Sequence, residues 1–192
     1  MGIEGRSTFF QDFRNLRQDP AFYQKILALS LGLATYVLSF FVFLYLFLFI
    51  EDSLTNRRAK LPALGVITGH NLGRHPVPVL AMLVHLVLLL IFRITYGGLL
   101  VDLATFFWVP SALFTLVLYA YSYDDRSFFN LHKTLTFWKT NIDALWIPAG
   151  LMLLAILLMG ENPLAAPAVV LALIYLINFI VNHFDEKLYD GA

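Results

Sequence analysis

The chain has 192 residues, 59% of them apolar and only 14% charged, with zero formal net charge and no cysteine. This excludes a nucleic-acid surface, which needs a basic excess, and every disulfide, thiolate metal site and iron–sulfur cluster. The length suits one compact bundle and is too short for a bundle plus a sizeable soluble domain.

The first patterned segment is Ser7–Asp19. Phe9, Phe10, Phe13 and Leu16 fall on one helical face, while Gln11, Asp12, Arg14, Asn15 and Gln18 fall on the other. Thr8 and Gln11 have capping-box spacing, and Asp19-Pro20 closes the segment. The pattern predicts a short helix lying in a membrane interface or against a partner subunit. Residues 1–24 are therefore read as an interfacial segment ahead of a transmembrane bundle over residues 25–192.

Ile26–Ile50 carries no charged side chain. As one helix it reaches roughly 37 Å, more than the roughly 30 Å of bilayer hydrocarbon. It reads as the first span, with Ala28, Gly32, Tyr36 and Ser39 as its packing face. Its aromatic end, Phe40–Phe49, suits lipid or a partner groove.

Residues 51–77 form a polar connection. Gly65, Gly69 and Gly73 recur every fourth residue, but Pro62 and Pro76 flank them, so a tightly turned loop is expected, with a short re-entrant helix as the alternative. His70 and His75 have no carboxylate nearby in sequence and do not form a metal site. Span two covers about 76–96 and span three about 99–121, joined at Tyr96-Gly97-Gly98 as a hairpin with almost no loop.

Residues 124–141 are again amphipathic, with Phe128, Leu131, Leu135 and Trp138 opposite Asn130, Lys133, Thr134 and Lys139. They predict a second interfacial helix. Span four follows at about 142–160, Glu161-Asn162-Pro163 turns the chain, and span five covers about 164–184. The predicted fold is an all-α polytopic membrane bundle of five spans with two interfacial helices. Four spans is the alternative, should one short span be re-entrant.

Five spans put the chain ends on opposite sides. Arg57, Arg58, Lys60, Arg74, Arg126, Lys133, Lys139 and Lys187 then outnumber Arg6, Arg14, Arg17, Lys25 and Arg93. The positive-inside rule places the N-terminus outside and the C-terminus in the cytoplasm, in a bacterial inner membrane.

Ionisable and amide side chains inside spans are the candidate functional residues. Arg93 and Asp102 flank the Gly97-Gly98 break at similar depth. They predict an ion-pair staple, or half of an ion or proton path. His85 lies deep, level with Pro110 and Ser111. Pro110 leaves the Phe106 carbonyl without its helical donor, and His85 donating to that carbonyl or to Ser111 would satisfy both. Haem ligation by His85 is the competing reading; it needs a second histidine on a facing helix. Tyr175, Asn178 and Asn182 form one polar stripe, which should pack on protein in the same chain or another; a water-lined pathway is the alternative.

No G-x-S-x-G, H-E-x-x-H, P-loop or G-x-G-x-x-G pattern occurs, so no catalytic or metal set is assigned. The expected function is a non-enzymatic membrane subunit or scaffold of a larger complex, of secretion, respiratory, photosynthetic or defence type, working without a cofactor. Its partners are the lipid bilayer and other membrane subunits, as a homo- or hetero-oligomer. An oligomeric channel or transporter component and a haem or quinone anchor are the alternatives.

Overall fold

The computed structural model describes residues 14, 16–34, 39–56, 61–96 and 98–184. All regular structure among them is helical, with seven α-helices and three short 3-10 turns. The helices are α1 (Phe22–Ala34), α2 (Ser39–Asn56), α3 (Gly69–Arg74), α4 (Pro76–Tyr96), α5 (Gly98–Ser122), α6 (Leu131–Glu161) and α7 (Ala166–Asn182). Among the described residues two stretches, Asp102–Ser122 and Leu131–Met159, are long and apolar enough to cross a membrane. Of the expected interfacial helix over Ser7–Asp19, all but Arg14 and Leu16–Asp19 lies outside the described residues.

The longest apolar run is not one span. In a straight helix Lys25 and Tyr45 would stand about 30 Å apart. Instead the Lys25 ammonium donates to the Leu61 carbonyl at 2.9 Å, and the Tyr45 hydroxyl donates to the neighbouring Pro62 carbonyl at 2.7 Å. The chain therefore doubles back between α1 and α2, and the two helices pack on each other. Lys25 also pairs with Asp19 at 2.5 Å, with both side chains almost fully covered.

α2 is the most enclosed helix. Every residue from Val42 to Phe47 is buried, as expected of a helix apolar on all faces when protein surrounds it. Its aromatic end meets α1, α4, α5 and α7, where the sequence reading offered lipid or a partner groove. The helix also continues through Glu51-Asp52 to Asn56, past the change in polarity.

The connection to α4 holds a 3-10 turn at Leu64–Val66 and the short α3. Gly65 and Gly73 have open space where a Cβ would stand, so no close-packed glycine seam forms there. The bounds of α4 and α5 fall within a residue of those expected for spans two and three; of the two, α5 alone holds a described stretch long and apolar enough to cross a membrane.

The predicted second interfacial helix and span four merge. α6 runs unbroken from Leu131 to Glu161 with Pro148 inside it. It lies antiparallel to α5: Phe114 stacks on Phe137 at 4.2 Å, and Phe106 meets Trp146 at 4.9 Å. α7 returns along α6, and Phe184 beyond its end reaches Tyr121 at 5.3 Å. The described N-terminal residues next to Leu61 and the end of α7 thus share one end of the bundle. The chain ends, expected on opposite sides, lie outside the described residues.

Candidate functional site

The polar constellation that draws most elements together lies at the end of the bundle that holds Tyr121, and it joins residues remote in sequence. Glu51 stands in the last turns of α2. His75 sits between α3 and α4, where its N–H donates to the Asn71 carbonyl at 3.0 Å. That bond ends α3, which Thr68 begins by accepting from the Asn71 N–H at 3.3 Å. The Asn71 amide in turn donates to the Val66 carbonyl at 2.7 Å, fixing the loop that presents His75.

Tyr123 follows α5. Its φ is 51°, the left-handed region that lets a helix close on a single bond, here from its N–H to the Tyr119 carbonyl at 2.6 Å. That reversal swings the phenol across to α2, where it donates to Glu51 Oε1. His75 Nε2 stands 3.9 Å from the other carboxylate oxygen, and its ring lies 5.2 Å from Phe47.

The electrostatics follow the geometry. The hydrogen bond to Glu51, reinforced by partial burial and by the carboxylate's charge, pushes the Tyr123 phenol up to about 12. Burial holds His75 below its ordinary value; Glu51 opposes that, and Arg74 adds to it. At neutral pH the site is a carboxylate between a phenol donor and a neutral imidazole. It ties the ends of α2 and α5 to the start of α4 and can exchange a proton with water, since Tyr123 is exposed. Among the described residues no group of three or more His, Cys, Asp or Glu is placed to hold a metal ion.

The sequence-derived candidates are scattered. His85 donates from Nδ1 to the Ala81 carbonyl of its own helix at 2.6 Å, and its ring meets the edge of Trp108 at 5.8 Å. The expected bond to the Phe106 carbonyl or to Ser111 is replaced by this local one, which an i−4 carbonyl offers at little cost. Ser111 donates to the Phe107 carbonyl at 2.7 Å and accepts from Trp138 Nε1 at 2.8 Å, joining α5 to α6. Asp102 is half-buried in the second turn of α5. The Arg93 side chain lies outside the described residues, and the staple with it. Tyr175 and Asn178 line a small pocket with Leu16, Phe22, Leu171 and Ile174. Asn178 is buried there, and Asn182 is exposed near the end of α7.

No protein-family model, no curated protein and no solved structure matches this chain. The site therefore stands on its own geometry. Glu51 is the first charged side chain after the long apolar run, and that was its one signal in the sequence. His75 pairs by spacing only with His70, and Tyr123 carries no signal.

Proposed function

We propose that this chain is a non-enzymatic integral membrane subunit, a scaffold within a larger membrane assembly. The observation that carries the reading is the outer face of α4. Leu80, Val84, Val87, Leu88 and Ile91 recur at helical spacing, all exposed. They make about 17 Å of aliphatic surface with no protein over it. α6 continues the theme with Trp146, Ile147, Leu151, Leu154 and Leu158. A soluble monomer rarely leaves uncovered apolar faces of this extent.

A partner as well as lipid is supported by α6 one turn earlier. Lys139, Thr140 and Asp143 are exposed there beside Leu135 and Ile142. Lipid alone solvates such a mixed face poorly. A helical bundle of this kind suits the cytoplasmic membrane of a bacterium, since outer-membrane spans are closed barrels.

The test uses native membranes. After a carbonate wash the chain is expected in the pellet. After mild detergent extraction it is expected to elute with other subunits, identified by mass spectrometry and sized by light scattering. Recovery in the carbonate supernatant would remove the membrane reading. A stable lone monomer in detergent would remove the subunit reading.

A further inference from the structure

Resting on the membrane reading above, we infer that the α1–α2 hairpin is a re-entrant wedge. It enters from the face that holds both described chain ends, and the outward stripe of α1 packs against the acyl chains of that one leaflet. That leaflet is the cytoplasmic one.

Three observations carry this. The first is register. Phe47 meets Tyr119 at 6.0 Å, and Glu51 accepts from Tyr123. Tyr123 directly follows α5, so the two contacts come in the same order along both helices, which run parallel, and the Phe47–Tyr119 contact sets their step. By that step Ser39, the start of α2, is level with Ser111. The stretch Gly98–Pro110, about 20 Å of α5, continues beyond it. Ser39, where α2 begins, therefore stands well short of the far end of the bundle, although the run that holds it is the most apolar in the chain.

The second is the surface of α1. Its inner face, with Phe22, Ile26, Leu29 and Leu33, is buried against α2 and α7. Its outer stripe is Tyr23, Leu27 and Leu31, exposed at 64%, 59% and 60%. Leu27 and Leu31 have no charge beside them, because Lys25 is turned inward to Asp19 and the Leu61 carbonyl; the one cation on the stripe, Arg17, lies 6.0 Å from the Tyr23 ring at its headgroup end. A helix of 13 residues is about 20 Å long, enough for one leaflet and too short for two.

The third is charge. The sequence holds 13 Lys and Arg residues. Among the described residues, Arg14, Arg17, Lys25, Arg74, Arg126 and Lys133 fall in the half of the bundle that holds Glu51, Lys139 near its middle and Arg93 in the other half. Under the single-crossing reading of residues 26–50 the cations divide eight against five. With that run folded back, most of the described cations flank one face, which the positive-inside rule assigns to the cytoplasm.

The absence of cysteine from the sequence makes single-cysteine labelling clean. Gln18→Cys, Thr55→Cys and Asn162→Cys variants are treated with a membrane-impermeant maleimide in intact bacterial cells. They are then treated in inverted vesicles. Asn162→Cys is expected to react from outside, and the other two only in the inverted vesicles. Gln18→Cys and Thr55→Cys reacting on opposite sides would overturn the hairpin wedge. Both reacting outside, with Asn162→Cys inside, would overturn the cytoplasmic assignment. Equal reaction of all three in intact cells, together with loss of the chain from the membrane pellet, would strike the membrane reading itself.

Depth is read separately. Spin labels at Leu27→Cys and Leu31→Cys are placed in phosphatidylethanolamine–phosphatidylglycerol vesicles. Both labels should collide readily with oxygen and poorly with a polar nickel complex, at depths no greater than the bilayer midplane. A Leu31 label nearer the opposite headgroups would overturn the wedge. Dipolar broadening between labels at Leu27 would show a second copy on the stripe instead of lipid, and would overturn the acyl-chain assignment.

Discussion

Lys25 shows how an apolar segment keeps a charge. Its ammonium has the Asp19 carboxylate on one side and the Leu61 carbonyl on the other. Removing one partner of a buried pair strands the other, and such losses run to about 3–5 kcal/mol. Lys25→Met is therefore expected to lower thermal stability in detergent far more than Lys25→Met combined with Asp19→Leu, as followed by circular dichroism. Glu51 poses a milder case. Tyr123→Phe removes the phenol donor and should cost about 1–3 kcal/mol. The same variant should also flatten the alkaline limb of the stability profile. The phenol is raised in the folded state, so its stabilisation is complete below pH 10 and lost as pH climbs through about 12. His75 works at the other limb. Its folded value lies below the unfolded one near 6.5, so the unfolded state takes up protons first on acidification. Stability is then full above pH 6.5 and declines as pH falls below it. His75→Gln should remove that decline in a melting series from pH 7.5 to 5.

At the scale of elements, the boundaries that local chemistry marks were legible. Pro76 opens α4, and the glycines at 97 and 98 part α4 from α5, so both helices were placed within a residue. Two features were not legible, for opposite reasons. Between α1 and α2 the chain reverses within an uncharged stretch, and hydropathy cannot distinguish a hairpin of two apolar helices from one long helix. At Asn141-Ile142 the pattern changes from amphipathic to apolar with no Gly or Pro to stop the backbone, so α6 runs straight through. What secures α6 is its aromatic seam with α5. Phe137 is fully buried against Phe114. Phe137→Ala should cost about 3–5 kcal/mol through the cavity it leaves, measured by chemical unfolding in micelles. Leu135→Ala, on the exposed side of the same helix, should cost little.

At the scale of the molecule, the sequence was sufficient for an all-helical chain and insufficient for its site. Composition reports how much apolar surface must be covered, and 59% apolar with 14% charged is ample warning. It does not report which distant residues meet. Glu51, His75 and Tyr123 are brought together by three helices whose order in space depends on the reversal before Ser39. The polar residues that stood out locally, His85 and Ser111, were instead absorbed by carbonyls one turn away on their own helices. A side chain with a ready local acceptor does not need the remote partner that spacing suggests.

The carbonyls of Leu61 and Pro62 also set an order of events during synthesis. Lys25 and Tyr45 both depend on them, yet both leave the ribosome earlier. Until residue 62 emerges, the nascent chain presents an unbroken apolar run with neither acceptor to fold it back. Its doubling-back can be locked only afterwards, so a chain truncated before Leu61 should lose the lock that Lys25 and Tyr45 place on the α1–α2 hairpin.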